Sequence, residues 1–404
     1  MSSTSGLLLE RRNKHPRDAK LEFDEPTHVY TIDGDSDYTS VTTLIHRYFE
    51  KFDADLIISR MFKKKTFGPG DKYYDMIFPY LCEKYPEKSE SMGRTIKSSK
   101  FIPGNKYYDA ALNHVKDSWN ENGRLASELG TEMHLNIEYY YNEVPYRPGF
   151  TETPEYELFV DYLKDNPYQA YRTEWAVFAK KYKLAGSIDM IYCDPDDPDS
   201  YMIADWKRSK EIKFKGFFGK KGKHPVSEFD DCNFSHYSLQ LNIYKLILEN
   251  YYGETALMIA KRLKNAKIEK LIASKTKKEA KNENQTATYK IDKMFTKNTF
   301  NLVENEDVDG LKLYLDTHPG MDINVKNKKG NTVLLLAVKR QNVDLVKVLL
   351  EYPGINLAAV DRKNISKMFL VILHPNQDKY MKIPVKNLKT EAMALLNDHL
   401  KTIT

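Results

Sequence analysis

The residues best suited to chemistry lie in a short apolar segment, where Asp205, Trp206 and Lys207 follow one another. Side chains alternate along an extended strand, so we expect Asp205 and Lys207 on one face and Trp206 on the other. Residues 186–189 lie shortly before and supply a second carboxylate from Asp189. Hard divalent cations prefer oxygen ligands, and a bound cation can activate water and neutralise phosphate charge. The pattern therefore predicts a metal-assisted hydrolytic site.

Three other elements must position further polar residues beside this segment. His134 and Glu138 are four residues apart in a helical pattern and share one helix face. Glu174 begins a segment whose composition is typical of a strand. A helix predicted over about residues 235–249 carries Tyr237, Gln240 and Tyr244 on one side.

The order of these elements resembles the RecB-type branch of the PD-(D/E)XK nuclease superfamily. The matching motifs are Gly-x-x-x-His ending at His134, the strand with Glu174, Gly-x-x-Asp ending at Asp189, Asp-x-Lys from Asp205 to Lys207, and Gln-Leu-x-x-Tyr from Gln240 to Tyr244. Each motif alone is common, whereas five in this order are specific. The resemblance spans roughly residues 20–253 and resumes near the C-terminus. It implies an α/β fold with a mixed central sheet flanked by helices, a restriction-endonuclease-like core.

The resemblance also implies roles for individual residues. The implied metal ligands are His134, Asp189, Asp205 and the backbone carbonyl of Trp206. Lys207 would orient the attacking water and offset phosphate charge, because a lysine acts as a base near neutral pH only if its pKa falls far. Glu174 would hold a water or a second cation, and Gln240 and Tyr244 would contact phosphate or support the lysine. Mg²⁺ or Mn²⁺ is the expected cofactor, since the nitrogen ligand of His134 suits Mn²⁺.

Each of these residues also has an ordinary structural interpretation. His134 alone would be a packed or surface histidine, and Asp205 with Lys207 would be a surface ion pair of little energetic value. The helix face with Tyr237, Gln240 and Tyr244 would pack in the core or at an interface. The apolar neighbours of Asp205 favour the metal site, because a lone buried carboxylate is costly unless a cation neutralises it.

A basic and aromatic loop follows the Asp-x-Lys motif. Its lysines are Lys213, Lys215, Lys220 and Lys221, and they alternate with Phe214, Phe217 and Phe218. Cationic side chains neutralise phosphates and exposed aromatic rings stack on unpaired bases, so the loop and Tyr237 are predicted to bind DNA. The alternative is a solvated loop whose phenylalanines point inward. The net charge of +5 does not by itself indicate nucleic-acid binding.

The C-terminal half contains a repeat with a spacing of 34 residues. Leu311, Leu315, Pro319 and Gly320 recur as Leu345, Leu349, Pro353 and Gly354. The spacing resembles about two ankyrin repeats over roughly residues 298–364, which are too few to be stable alone and should pack on the nuclease core or on the preceding helix. The preceding residues 256–281 contain nine Lys or Arg and two Glu, which predicts a solvated cationic helix or linker, followed by a polar stretch over 282–288.

The predicted domains follow from these patterns. Residues 1–20 form a flexible arm, 21–253 the first part of the nuclease core, 254–364 an inserted linker with the ankyrin-like repeats, and 365–404 the final strands and helix of the core. The alternative is a simple C-terminal tail, which would leave the strands near residues 368–385 without a sheet. Residues 66–106, with several Gly and Pro, are predicted to be a loop-rich excursion.

Composition bounds the function. Three scattered cysteines indicate a reducing compartment and exclude a four-cysteine cluster within this chain. No long apolar run predicts a membrane span, and the first residues do not resemble a secretory signal, so a cytoplasmic or nuclear location is expected. The sequence predicts a metal-dependent deoxyribonuclease acting on single strands or DNA ends in replication, recombination or repair. The alternative is a non-catalytic DNA- or protein-binding module whose ankyrin-like insert recruits a protein partner.

Overall fold

The computed structural model describes residues 7–279 and 289–403. Its helices are α1 (Leu8–Arg12), α2 (Val41–His46), α3 (Ala54–Phe62), α4 (Lys72–Lys84), α5 (Met92–Ile96), α6 (Lys106–Tyr141), α7 (Pro154–Asp165), α8 (Asn233–Tyr251), α9 (Ala256–Arg262), α10 (Ala266–Glu279), α11 (Lys293–Glu304), α12 (Val308–Thr317), α13 (Val333–Lys339), α14 (Val343–Glu351) and α15 (Lys389–Ile403). Its strands are β1 (Leu21–Asp24), β2 (Val29–Ile32), β3 (Thr39–Ser40), β4 (Ala170–Ala179), β5 (Leu184–Asp194), β6 (Asp197–Lys207), β7 (Asn364–Ile372) and β8 (Met381–Pro384).

The main sheet is mixed, in the order β3-β5-β6-β7-β8, and β4 pairs with the other edge of β5. The pairs β4–β5, β5–β6 and β7–β8 are antiparallel, whereas β3–β5 and β6–β7 are parallel. Strands β1 and β2 form a separate antiparallel pair. The expected mixed α/β fold with a helical ankyrin-like region is confirmed.

The sheet opens between β5 and β6, and this opening positions the candidate site. β6 pairs with β5 only as far as Ala204 opposite Met190, and β3 pairs with the start of β5 at Leu184 and Ala185. Beyond Ala204, β6 continues along β7 through Lys207. Residues 186–189 of β5 therefore have no strand partner on this edge within the described chain, and the Asp189 side chain reaches the end of β6.

Helices cover both faces of the sheet. On one face α8 packs against α2, α15 and the sheet, in a buried cluster that includes Leu241, Ile243, Ile247, Ile188 and Leu395. On the other face, α6 and α7 bury Met133, Ile137, Phe159 and Tyr162 against Met190 and Trp206. Ser40 caps α2 by accepting a hydrogen bond from the Thr43 N–H, as the sequence predicts.

Residues 66–106 are mainly helical, so the predicted loop-rich excursion is wrong. Asp71 caps α4 and Asn105 caps α6, each by accepting hydrogen bonds from two backbone N–H groups of the helix. The helices share a buried cluster that includes Ile77, Leu81 and Met92. The turn residues of this region therefore begin helices rather than extend a loop.

The prediction of a flexible arm over residues 1–20 is wrong for its described part. Leu9 and His15 are buried, and Arg172 forms an ion pair of 2.9 Å with Asp18. Trp175 Nε1–H also donates to Asp18 at 2.9 Å. These contacts attach residues 7–20 to β4, and residues 1–6 lie outside the described residues.

Helices α9 to α14 share their own hydrophobic cluster. Ile259, Ile268 and Ile272 of α9 and α10 pack with the repeat leucines Leu311 and Leu345. The expectation that the repeats lean on the preceding helix is therefore confirmed. The lysine-rich segment is helical as predicted but is not fully solvated, because these three isoleucines are buried while Lys261, Lys264, Lys267 and Lys270 are exposed. The polar stretch at 282–288 lies outside the described residues.

The chain leaves the sheet after α8 and returns to it at β7. The Glu254 N–H donates to Asp361 Oδ1 at 2.7 Å, and the Asp361 N–H donates to the Glu254 carbonyl at 3.0 Å. Thr255 forms an antiparallel bridge with Val360. Departure and return are thus side by side, and β7 places Leu370 opposite Asp205.

Within residues 7–279 and 289–403, no helix has the length and apolar character needed to cross a bilayer. Cys82, Cys193 and Cys232 are free thiols.

Candidate metal centre

Two carboxylates and one ammonium meet where β5 and β6 separate. The Trp206 N–H donates to Asp189 Oδ2 at 2.9 Å, which holds this carboxylate across the opening. Lys207 Nζ lies 2.8 Å from Asp205 Oδ2 and 3.7 Å from Asp189 Oδ2. Asp205 is 2% exposed, so the pair with Lys207 is not a surface ion pair.

His134 joins the site from α6. Its Nε2–H donates to the Trp206 carbonyl at 2.9 Å, which leaves Nδ1 directed at the carboxylates. Nδ1 lies 3.5 Å from Glu174 Oε1 and 3.7 Å from Asp189 Oδ2. One ligand atom each from His134, Glu174 and Asp189 lies within 4.8 Å of the others, a spacing that one metal ion could bridge.

The Trp206 carbonyl, which the resemblance implies as a metal ligand, accepts the hydrogen bond of His134. Metal-binding histidines commonly donate their second N–H to a carbonyl, which fixes the tautomer and the ring orientation. In this geometry the carbonyl orients His134, and Nδ1 is the atom available to a cation.

Glu174 has a strained backbone in the middle of β4. Its φ is +39°, a left-handed value that non-glycine residues rarely adopt in a strand. It lies between the paired residues Thr173 and Trp175, and its Oε2 accepts a hydrogen bond of 3.0 Å from Ser187. Such strain costs on the order of 1–3 kcal/mol and concentrates at functional sites. The carboxylate of this residue is the one that lies 3.5 Å from His134 Nδ1.

The pKa values of the site are shifted by burial and by the charges of neighbouring side chains. Burial raises the pKa of Asp205 to about 7, and the Asp189 charge adds to the shift while Lys207 opposes it. Burial lowers the pKa of Lys207, but the charges of Asp205 and Asp189 outweigh burial and leave it above its ordinary value. Burial also lowers the pKa of His134, yet Asp189 and Glu174 raise it overall to about 9. The lysine and the histidine are therefore both cationic near neutral pH, and they neutralise the carboxylates.

Glu138 extends the site, although the sequence motifs gave it no role. Burial, together with the charges of Glu174, Glu10 and Glu25, raises the pKa of Glu138 to about 7. It lines a small cavity of about 160 Å³ beside Glu174. The signal in the sequence was its position one helical turn after His134.

Helix α8 closes the back of the opening. Tyr244 is buried, and a Cβ at Gly186 would lie 2.5 Å from its hydroxyl, so only glycine fits opposite this tyrosine. Gln240 interacts with the same hydroxyl. Lys207 Nζ lies 5.1 Å from the ring centre of the half-buried Tyr237. Tyr244 therefore packs against Gly186 on the α8 side of the opening, whereas Tyr237 lies beside Lys207.

The basic loop after β6 extends into solvent. Phe214 and Phe217 are more than half exposed and Phe218 is 78% exposed, so these rings do not point inward. Lys213 and Lys220 line an open apolar groove of about 1090 Å³ together with Phe52 and Trp119.

The loop lysines differ in their contacts. Lys220 pairs with Glu50 at 2.7 Å, whereas Lys215 is 89% exposed and lies 3.9 Å from Asp230. Lys221 Nζ donates to the Glu228 carbonyl at 3.2 Å. Of these four lysines, Lys213 and Lys220 line the groove, and Phe217 of the same loop lines it with them.

Comparison with known proteins identifies one segment. Residues 300–350 match the family model described as ankyrin repeats (many copies). No curated protein and no solved structure matches the chain. The match indicates a protein-interaction module in this part of the molecule.

Proposed function

We propose that this chain is a metal-dependent nuclease of the PD-(D/E)XK type, with a restriction-endonuclease-like core that hydrolyses DNA at single-stranded segments or ends. The observation that carries the proposal is the convergence of His134, Glu174 and Asp189 within 4.8 Å, beside the buried pair of Asp205 and Lys207. Residues from one helix and three strands meet at a break in the sheet. An ordinary core would fill this space with apolar side chains, because buried charges are costly.

The donor set fits a small divalent cation. Carboxylate oxygens from Asp189, Glu174 and Asp205 with one imidazole nitrogen from His134 suit Mg²⁺ or Mn²⁺, the nitrogen favouring Mn²⁺. The cation, when bound, supplies positive charge for the scissile phosphate and activates water for attack. His134 must lose the proton on Nδ1 to bind it, and the Trp206 carbonyl holds the ring in the required tautomer.

Lys207 acts in this proposal as a positioning and charge-stabilising residue. Its pKa lies above the ordinary value because of Asp205 and Asp189, so it is not a neutral amine that could take a proton. With Asp189 and Asp205 engaged by a bound cation, the Lys207 ammonium would be available to a phosphate oxygen, and the Tyr237 ring lies beside it.

A single strand of DNA is the substrate that the surroundings favour. The exposed phenylalanines of the basic loop offer stacking surfaces, and Lys213 and Lys220 line the apolar groove at its side. Base stacking on aromatic rings with phosphate contacts from lysine is the usual mode of binding to unpaired strands. Lys215 and Lys221 add cations at the loop surface.

Residues 254–364 are, in this proposal, an insert within the nuclease core. The adjacent departure and return at Glu254 and Asp361 allow an insertion without displacing β7 from β6. The ankyrin match favours a second, compatible function for this part of the chain, the recruitment of a protein partner.

The test is digestion of end-labelled single- and double-stranded oligonucleotides with Mn²⁺, Mg²⁺ or EDTA. We expect cleavage with either metal, no cleavage with EDTA, and loss of cleavage in Asp189→Asn and Asp205→Asn. Asp196→Asn is the matched control, because Asp196 is an exposed carboxylate near the same strands. A folded wild-type protein that is inert with every metal would leave the interaction module as the remaining function.

A further inference from the structure

A second polar cavity lies where the ankyrin-like segment meets the sheet. Its volume is about 620 Å³, and it is lined by Asp199 and Tyr201 of β6, by residues 361–364 where β7 begins, and by residues from the segments 253–263 and 329–339. Five lining side chains are cationic and three are carboxylates, so its wall carries an excess of positive charge. The volume is in the range of small-molecule sites. None of these residues belongs to the candidate metal centre.

Lys363 is the unusual member of this wall. It is 7% exposed, and its Nζ lies 3.6 Å from the ring centre of Tyr201 and 4.1 Å from that of Tyr171. Among the residues that the structure describes, no carboxylate lies within 4.0 Å of this ammonium and no acceptor hydrogen-bonds to it. A buried ammonium without an acceptor is costly, and the aromatic faces compensate only part of that cost.

Three of the other four cations of the wall differ from Lys363 because they pair with carboxylates. Arg262 lies 2.8 Å from Glu254, Lys339 lies 2.7 Å from Asp361, and Arg362 lies 2.6 Å from Glu249. Burial lowers the pKa of Lys363 to about 7, and the nearby charges of Glu254 and Asp361 oppose the shift. An anion bound beside Lys363 would restore its full charge.

Asn331 supplies a complementary group from the ankyrin-like segment. It is 6% exposed, and its Oδ1 has no hydrogen-bond donor within the described part of the chain. Buried amide oxygens are nearly always paired, so this acceptor indicates a donor that the chain itself does not provide. One wall of the cavity therefore presents an unpaired donor, and another presents an unpaired acceptor.

We propose that this cavity binds a small phosphorylated molecule of mononucleotide size, with its phosphate on Lys363 and a hydroxyl or amino group donating to Asn331 Oδ1. The excess of cations suits a phosphate dianion better than a neutral ligand. Lys363 directly precedes β7, the strand that rejoins the sheet, and Asn331 belongs to the repeats, so one ligand contacts both parts of the molecule. Binding stabilises the folded chain by mass action.

The experiment is calorimetric titration of the full-length protein with 2′-deoxyadenosine monophosphate, in EDTA so that no divalent cation is bound. We expect binding with a Kd of about 1 mM or tighter, weakened about tenfold or more by Lys363→Met and by Asn331→Leu. Lys181→Met is the matched control, because Lys181 also lies over a tyrosine ring, that of Tyr182, outside this cavity. Inorganic phosphate should bind more weakly and should also depend on Lys363.

Asp189→Asn separates this site from the candidate metal centre. We expect the variant to bind the nucleotide like the wild type, whether or not the chain cleaves DNA. Binding that is lost in Asp189→Asn but retained in Lys363→Met would overturn the proposal, as would no binding at all by the wild type. Thermal melting establishes that Lys363→Met is folded, and Asn331→Leu provides the second readout if it is not.

Discussion

Replacing Lys207 with Met tests whether Asp205 is held as a buried charge. Methionine keeps the length of the side chain but removes the ammonium that lies 2.8 Å from Asp205 Oδ2. Removing one partner of a buried ion pair costs about 3–5 kcal/mol, because the other charge remains buried and unpaired. Asp205 is 2% exposed, so solvent does not replace the lost partner.

The loss of folding stability in Lys207→Met should become larger as pH rises. Burial raises the pKa of Asp205 to about 7 even with Lys207 present, and its pKa should rise further without the lysine. The folded state then keeps a proton that the unfolded state releases near pH 4, so the free energy of unfolding falls as pH rises through this window. In the wild type the fall ends near pH 7, whereas in Lys207→Met it continues above pH 7. The two proteins should therefore differ more at about pH 9 than at about pH 6.

The assay is urea denaturation of both proteins in EDTA, followed by tryptophan fluorescence. The double variant Asp205→Asn with Lys207→Met removes both charges and should recover all but about 1–2 kcal/mol of the loss, with little pH dependence. A loss below about 1 kcal/mol at about pH 9 in Lys207→Met would refute the reasoning, because it would mean that Asp205 carries no buried charge.

Three further predictions follow from the same geometry. Binding of Mn²⁺ should tighten about a hundredfold between about pH 6 and about pH 8, because the pKa of His134 is raised to about 9 and its proton must leave before the metal binds. Calorimetry that finds no pH dependence of the Mn²⁺ affinity would exclude His134 as a ligand. Gly186→Ala should lower the free energy of unfolding by about 1–3 kcal/mol, since the new Cβ would lie 2.5 Å from the Tyr244 hydroxyl, and adding Tyr244→Phe should restore part of it in the same melting experiment. Replacing Lys213, Lys215 and Lys220 with Ala should reduce the slope of log Kd against log salt for single-stranded DNA by about 2, measured by fluorescence anisotropy, whereas an unchanged slope would place the strand elsewhere.

The sequence predicts the strands of the candidate site well because their signals are local. Asp189 and Asp205 lie in apolar segments of strand composition, and the structure brings both to Lys207. The sequence also predicts two strands near residues 368–385 with a closing helix after them; β7, β8 and α15 lie there, and both strands join the sheet. Roles in catalysis stay predictions, since geometry alone does not test them.

Other features depend on contacts between distant parts of the chain, which no local pattern encodes. The hydrogen bond from His134 to the Trp206 carbonyl joins residues 72 positions apart, and Glu174 has a positive φ within β4. In residues 66–106, Gly and Pro suggested loops, yet Asp71 and Asn105 act as helix caps. The same turn residues can lie in a loop or begin a helix. In this region the buried hydrophobic cluster stabilises the helices.

The most direct test is the anomalous diffraction of a crystal of this protein grown with Mn²⁺. The proposed function requires a manganese peak in contact with the His134 imidazole and the Asp189 carboxylate, at about 2.2 Å from each ligand atom. It also requires the peak to be absent from crystals of Asp189→Asn. A crystal saturated with Mn²⁺ that shows no peak there, with His134 still paired to the carboxylates, would contradict the account.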